Sequence, residues 1–169
     1  GDRIRFLLLA IDSMTQGTQL ILSRSHPDFI KKLFELEVSE IADGTVEIKG
    51  IAREAGFRSK IAVHSNDDKV DPVGACVGLR GQRVKNIVRE LSGEKVDIVK
   101  WSPDIKTFVT NALAPAKLLR LDIDEAENTV HVIVEADQLS LSIGKKGQNA
   151  RLTAKLTTWK IDVQKDEND

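Results

Sequence analysis

The feature that most constrains this chain is an internal repeat. The segment Val77-Gly-Leu-Arg-Gly-Gln82 recurs as Ile143-Gly-Lys-Lys-Gly-Gln148, 66 positions further along the 169-residue chain. Lys95-Val-Asp-Ile98 recurs as Lys160-Ile-Asp-Val163, 65 positions on, so one residue is lost between the two matching segments. Self-similarity of this kind indicates one structural unit that occurs twice. We therefore expect two copies of one small fold.

Apolar periodicity and turn residues predict the same element order in both copies. In the first copy we expect a helix capped by Ser25, strands at 46–48 and 58–64, a short helix at 73–77, a longer helix at 82–91 and a strand at 95–101. In the second we expect a helix starting at 102–104, strands at 119–123 and 130–134, a short helix capped by Asp137, a longer helix at 148–156 and a strand at 160–163. Each copy reads α-β-β-α-α-β, which places the chain in the α+β class.

The first 24 residues predict a β-hairpin. Ile4, Phe6 and Leu8 alternate with other residues, Leu20 and Leu22 do the same, and the turn residues Thr15, Gln16, Gly17 and Thr18 separate the two runs. Two strands are only marginally stable alone, so we expect the hairpin to be the end of a larger β-domain. The expected domains are 1–25 for this β-part, 26–102 for the first copy and 103–169 for the second.

Charge is balanced overall but not evenly distributed. The formal net charge is −1, yet the stretches 72–89 and 138–161 contain four and five basic residues and no acidic one. Such localised basic faces attract phosphate, although ordinary solvated helix faces would give the same pattern. Aromatic residues make up 4% of the chain, so we expect any nucleic-acid recognition to use backbone and aliphatic groups rather than base stacking on a sheet.

The repeated Gly-x-x-Gly segment joins two helices and is suited to a phosphodiester chain. The second helix begins with unpaired N–H groups and the positive end of its dipole. Glycine lets a backbone approach closely, and helix N-termini bind phosphate. Leu79-Arg80 and Lys145-Lys146 occupy the loop tips. A tight helix–helix turn can produce one such loop by itself, but two loops in matched units, each followed by Gln and a basic helix, favour RNA.

Each unit resembles a KH domain of the prokaryotic type, and the motifs are specific. The stretch from Asp71 to Val84 is similar to the first KH domain of the NusA family of bacterial transcription factors, while Ile143–Asn149 and Trp159 resemble its second. Leu20–Asp28 is similar to the junction from the S1 domain, an OB-type barrel, into the first KH domain. The resemblance therefore implies tandem prokaryotic-type (type II) KH domains preceded by a hairpin from a truncated S1 barrel.

The resemblance also implies a function. The family binds single-stranded RNA and acts on transcribing RNA polymerase in pausing, termination and antitermination. We expect single-stranded RNA, RNA polymerase and other transcription factors as partners, a monomeric state and a cytoplasmic location. The alternative is a non-catalytic KH protein of ribosome assembly or RNA decay.

The candidate RNA contacts are the two loops, the starts of the helices that follow them, and a strand beside the first groove. Arg83, Lys85 and Arg151 could equally be solvated, and Gln82 and Gln148 could simply cap their helices. The predicted contacts are Gly78, Leu79, Arg80, Gly81, Gln82, Arg83, Lys85, Gly144, Lys145, Lys146, Gly147, Gln148, Asn149, Arg151, Arg58 and Lys60.

We expect no enzymatic activity, cofactor or metal. The sequence has no Walker phosphate loop, its three histidines are scattered without ligand spacing, and Cys76 reads as a core thiol. Trp101 and Trp159 fit packing better than base stacking. The longest apolar run, Phe6–Ile11, is six residues and too short to cross a bilayer, and no secretory signal precedes it.

Overall fold

The N-terminal hairpin is present in the computed structural model, which describes residues 1–14 and 16–167. Strand β1 (Leu7–Met14) pairs antiparallel with β2 (Gly17–Ser23), so the predicted hairpin is confirmed. Thr15, which the sequence places in the turn, lies outside the described residues. Within the described part of the chain this sheet has two strands and does not close into a barrel. Its assignment to an S1 domain stays a prediction.

Both copies have the predicted order α-β-β-α-α-β. The first copy consists of α1 (Pro27–Glu37), the one-turn helix α2 (Ser39–Ala42), β3 (Val46–Glu54), β4 (Arg58–Ser65), α3 (Pro72–Val77), α4 (Gln82–Glu90) and β5 (Lys95–Lys100). The second consists of α5 (Ile105–Leu113), β6 (Arg120–Asp124), β7 (Thr129–Val134), α6 (Ala136–Ile143), α7 (Gln148–Thr157) and β8 (Lys160–Lys165). The sequence did not predict α2.

Two predicted helix caps are wrong. Helix α1 is capped by His26 rather than Ser25, and the His26 Nδ1 atom accepts a hydrogen bond from the Asp28 N–H at 3.1 Å. Pro27 holds the residue before it in the extended conformation that a cap needs, which selects His26. Helix α6 starts two residues earlier than a cap at Asp137 predicts, so Glu135 is its cap residue and Asp137 lies in its first turn.

Each copy contains a three-stranded mixed sheet with helices on its front face. Strand β4 pairs antiparallel with β3 and parallel with β5, and β7 pairs in the same way with β6 and β8. The first core lies between the first sheet and its helices and includes Phe29, Ile30, Leu33, Phe34, Ile61, Val63, Cys76 and Ile87. The second core contains Val109, Leu113, Val130, Val132 and Val134.

A third cluster joins the two copies. Helices α5 and α7 of the second copy cover the rear face of the first sheet. We call this cluster the junction core; it contains Ala52, Ala62, Val99, Phe108, Ala112, Leu152 and Leu156. The Lys60 side chain crosses the boundary, because its Nζ donates to the Ala112 carbonyl oxygen at 2.8 Å. The copies are thus packed together rather than tethered by a flexible linker.

The two tryptophans pack as expected from the sequence. Trp101 lies against the junction core, with its ring edge-on to His64 at a centroid distance of 5.4 Å. Trp159 packs against the second core. Cys76 is fully buried, and burial raises the pKa of its thiol to about 12, as befits a core thiol.

The rear face of the second sheet is open and polar. His131 and Asp162 face each other across β7 and β8, as Lys60 and Asp97 do across β4 and β5. The second copy covers Lys60, whose side chain is 1% exposed, whereas the side chains of His131 and Asp162 are 38% and 45% exposed. No helix in residues 1–14 and 16–167 has the length and apolar character needed to cross a membrane.

Candidate nucleic-acid interface

The two Gly-x-x-Gly loops have nearly the same backbone. Gly78 and Gly144 have φ of +76° and +79°, and Arg80 and Lys146 at the tips have φ of +54° and +55°. Each loop forms a single 3-10 turn between its two helices. The tip side chains Leu79, Arg80, Lys145 and Lys146 are all exposed, and Leu79 is 85% exposed. The repeat therefore presents the same small tip twice.

The two glycines of each loop have different neighbours. A Cβ on Gly78 would lie 2.7 Å from the Arg83 Cγ, and a Cβ on Gly144 would lie 2.7 Å from the Asn149 backbone nitrogen. At Gly81 and Gly147 the nearest atom would be 3.7 Å away. The fold itself thus requires the first glycine, while a Cβ at the second would make only ordinary van der Waals contact.

Two predicted contact residues hold the loops in place. Arg83 donates through Nη1 to the Ala75 carbonyl oxygen at 2.8 Å and to Glu40 at 2.7 Å. Asn149, at the equivalent position of the second copy, donates to the carbonyl oxygens of Leu113, Leu141 and Ser142 at 3.2, 3.3 and 3.2 Å. Both side chains satisfy carbonyl groups at helix ends that would otherwise be unpaired.

A basic residue in each of the helices that follow the loops holds the loop tip in place. Lys85 donates to the Arg80 carbonyl oxygen at 3.1 Å, and Arg151 donates to the Lys146 carbonyl oxygen at 2.9 Å. Gln82 donates to Asn86 along its own helix at 2.9 Å. The loops are therefore fixed before any ligand arrives.

A groove runs along α4 from the first loop. The valines Val84, Val88 and Val96 form its apolar floor, and its charged rim contains Arg58, Lys85, Arg89, Lys95 and Asp97. It is an open cavity of about 560 Å³ that ends at Gly93, beyond the end of α4. An adjoining cavity of 300 Å³ shares Val84, Val96 and Asp97 and reaches Ala112 and Pro115 of the second copy. We call the two together the first groove.

Lys60, a predicted RNA contact, is almost completely buried at the edge of the first groove. Its side chain is 1% exposed, and its Nζ bonds Asp97 at 3.1 Å as well as Ala112. Arg58, which is partly exposed, donates to both Asp97 oxygens at 2.7 and 2.8 Å. Burial raises the pKa of Asp97, but the hydrogen bonds and charges of Arg58 and Lys60 outweigh it and keep the pKa below its ordinary value. Arg58 thus lines the 560 Å³ part of the first groove, while the buried Lys60 lies behind the 300 Å³ part.

The second loop borders a cavity of 360 Å³ that contains residues of both copies. We call it the second-loop cavity; its lining is Glu54 and Phe57 from the first copy and Lys145, Lys146, Gln148 and Arg151 from the second. Arg151 donates to Glu54 at 2.5 and 3.1 Å, and Gln148 donates to Glu54 at 3.1 Å. The Arg151 hydrogen bond is the main cause that lowers the pKa of Glu54 to about 2.

Sequence reasoning missed Glu54 and Phe57. Glu54 ends β3 and Phe57 lies in the turn before β4, both far along the chain from the second loop, and only the packing of the copies brings them there. The sequence did contain one signal, Phe57 itself. An aromatic residue directly after Gly56 in a turn has no hydrophobic core to pack into, so it is expected to be exposed.

Comparison with known protein families identifies both units. A family model described as the NusA-like first KH domain matches residues 24–101, and one described as the NusA-like second KH domain matches residues 105–169. The chain belongs to the NusA family. Its two prokaryotic-type KH domains are those predicted from the repeat.

Individual NusA proteins are similar over nearly the whole chain. Proteins named "Transcription termination/antitermination protein NusA" are 57% identical in Halalkalibacterium halodurans, 58% in Bacillus subtilis and 44% in Rickettsia prowazekii. These alignments cover 97%, 96% and 100% of this chain but 43%, 44% and 34% of the relatives. The chain thus spans less than half the length of these curated NusA proteins.

One solved structure shares the fold. "Crystal structure of APE1850" superposes with a TM-score of 0.60, covering 82% of this chain and 97% of that one at 19% sequence identity. At that identity the likeness supports the fold alone.

Proposed function

We propose that this chain binds single-stranded RNA as the tandem KH module of a transcription termination and antitermination factor. The observation that carries the proposal is the pair of fixed loops with exposed basic tips, one at the head of an apolar groove. Membership of the NusA family favours this function over the alternative in ribosome assembly or RNA decay.

RNA binding follows from the groups that each loop presents. The N–H groups at the starts of α4 and α7 and the positive ends of the helix dipoles attract phosphate, and Arg80, Lys145 and Lys146 add full charges beside them. In the first groove the three valines accept the faces of bases. About four nucleotides would lie extended against each KH unit. No bond is made or broken, so the proposed role is binding and not catalysis.

The proposed setting is the transcribing polymerase. We propose that the chain, as part of a longer cytoplasmic protein, holds nascent RNA beside RNA polymerase and other transcription factors, and that it does so as a monomer. The names of the relatives support a role in termination and antitermination.

Acidic loop variants test the proposal. We expect Leu79→Asp with Arg80→Asp, and Lys145→Asp with Lys146→Asp, each to weaken single-stranded RNA binding by roughly tenfold or more, because phosphate is then repelled at the tip. The side chains are exposed, so circular dichroism should show an unchanged fold. Affinity is measured by filter-binding titration.

A matched control is available at the start of β6. Leu119 and the adjacent Arg120 are an exposed Leu-Arg pair outside both cavities, and Leu119→Asp with Arg120→Asp makes the same charge change as the first loop variant. This control should bind RNA as the parent does. If both loop variants also bind as the parent does, the RNA-binding proposal fails.

A further inference from the structure

Phe57 is an exposed aromatic side chain in a chain that has few. It is 71% exposed at the turn between β3 and β4, although aromatic residues are only 4% of the sequence. Its ring lines the second-loop cavity together with Lys145 and Lys146. A large apolar side chain therefore stands in solvent beside the basic tip of the other KH unit.

The turn that carries Phe57 is firmly held. The Gly56 N–H donates to the buried Glu94 carboxylate at 2.7 Å, and the Phe57 N–H donates to the Glu54 carbonyl oxygen at 2.9 Å. Glu94 is itself fixed by Arg53 at 3.1 Å and by the Ser59 hydroxyl at 3.0 Å. The exposure of Phe57 thus belongs to an ordered turn and needs no rearrangement to meet a ligand.

Phe57 lies between the first groove and the second loop. Its carbonyl oxygen accepts a hydrogen bond from the Lys95 N–H at 3.1 Å, and both Lys95 and the adjacent Arg58 line the far end of the first groove. Its own side chain lines the second-loop cavity. A strand that followed α4 away from the first loop would reach Phe57 before it reached Lys145 and Lys146.

We propose that Phe57 is a stacking platform for one RNA base at the crossing from the first groove to the second loop; this rests on the RNA binding proposed above. Phenylalanine offers only a π-face, so the platform accepts any base and adds affinity rather than sequence choice. Lys145 and Lys146 stand in the same cavity for the adjoining phosphates. Arg151, already paired with Glu54, holds the floor of that cavity in place.

Substitution of Phe57 combined with abasic RNA tests the platform. The probe is a single-stranded RNA long enough to span both KH units, together with a series in which each member lacks one base. Phe57→Ala should weaken binding of the intact RNA by about 5- to 150-fold, the range measured for loss of one base–aromatic stack. Phe57→Trp should retain the affinity of the parent.

The abasic series locates the stacked base. In the parent, one position near the middle of the RNA should lose affinity when its base is removed, and at that position Phe57→Ala should cause little further loss. Leu36→Ala is the matched control, because Leu36 is also 71% exposed and lines none of the cavities described above. It should bind every RNA as the parent does.

The outcomes separate this proposal from the general one. If the parent binds the RNA and Phe57→Ala binds it equally well, the stacking platform is overturned and the RNA-binding function stands. A loss in Phe57→Ala that is the same at every abasic position would overturn it too. Failure of the parent to bind any single-stranded RNA would overturn the proposed function itself.

Discussion

Gly78 and Gly144 carry a constraint that the other two loop glycines do not share. Their φ of +76° and +79° combine with ψ of 172° and 167°, a backbone region open essentially to glycine alone. Gly81 and Gly147 have φ of +74° with ψ of 15° and 11°, the left-handed helical region that other residues can enter at a cost. The first and second glycines of each Gly-x-x-Gly loop thus adopt two different backbone conformations, and only the first conformation is essentially restricted to glycine.

Alanine substitutions should separate the two kinds of glycine. Gly78→Ala and Gly144→Ala should each lower the free energy of unfolding by roughly 3 kcal/mol, since backbone strain adds to the displacement of Arg83 or Asn149. Gly81→Ala and Gly147→Ala should each cost about 1–2 kcal/mol. Urea unfolding followed by circular dichroism measures both. Equal losses at all four positions would contradict the assignment.

At the scale of helices and strands, the sequence was sufficient to predict a feature that depends on the residues of one element alone. Apolar periodicity located α4 and β4, and the repeat located both loops. The sequence could not show what a side chain bonds where the partner lies on another element. Lys60 was predicted as an RNA contact on the strand beside the first groove, but the second copy covers it. Arg83 and Asn149 follow basic-looking loops, yet they turn back to cap helix ends.

The contact between β3 and α7 should depend on pH. Because the folded-state pKa of Glu54 is about 2, below the ordinary value of about 4.3, its stabilising effect is fully present above pH 4.3 and lost as the pH falls through 2. Solvent screening limits the effect to about 0.5–1 kcal/mol. The difference in unfolding free energy between the parent and Glu54→Gln, measured by urea titration, should therefore shrink from pH 7 to pH 3. A difference that stays constant would contradict this linkage.

At the scale of the whole molecule, the junction core sets the relation between the two RNA-binding units. Phe108, Leu152 and Leu156 of the second copy are buried on the first sheet, so the loops are held at a fixed separation. Fixed sites act on one ligand with a high effective concentration when the ligand can span them.

Affinity should therefore keep rising with RNA length. An RNA that fills one KH unit, about four nucleotides, should bind much more weakly than one that spans both, because the second contact becomes intramolecular. A fluorescence anisotropy series over increasing oligonucleotide length measures this. A plateau at about four nucleotides would show that the units act independently.

The rear faces of the two sheets differ, so the two copies are not equivalent in how they can pack. Where the first sheet has Ala52 beside Lys60 and Ala62 beside Val99, the second has Asp122 beside His131 and Ile133 beside Gln164. Helices of a neighbouring unit can pack against the alanines of the first sheet. On the second sheet the same helices would have to desolvate the polar and charged side chains. The copies are therefore not interchangeable. Exchanging their order would expose the alanine-containing rear face of the first sheet to water and would bury the charged rear face of the second. A further unit could not pack behind the second copy through the same alanine contacts, so anything that binds the rear of the second sheet must do so through a different kind of contact.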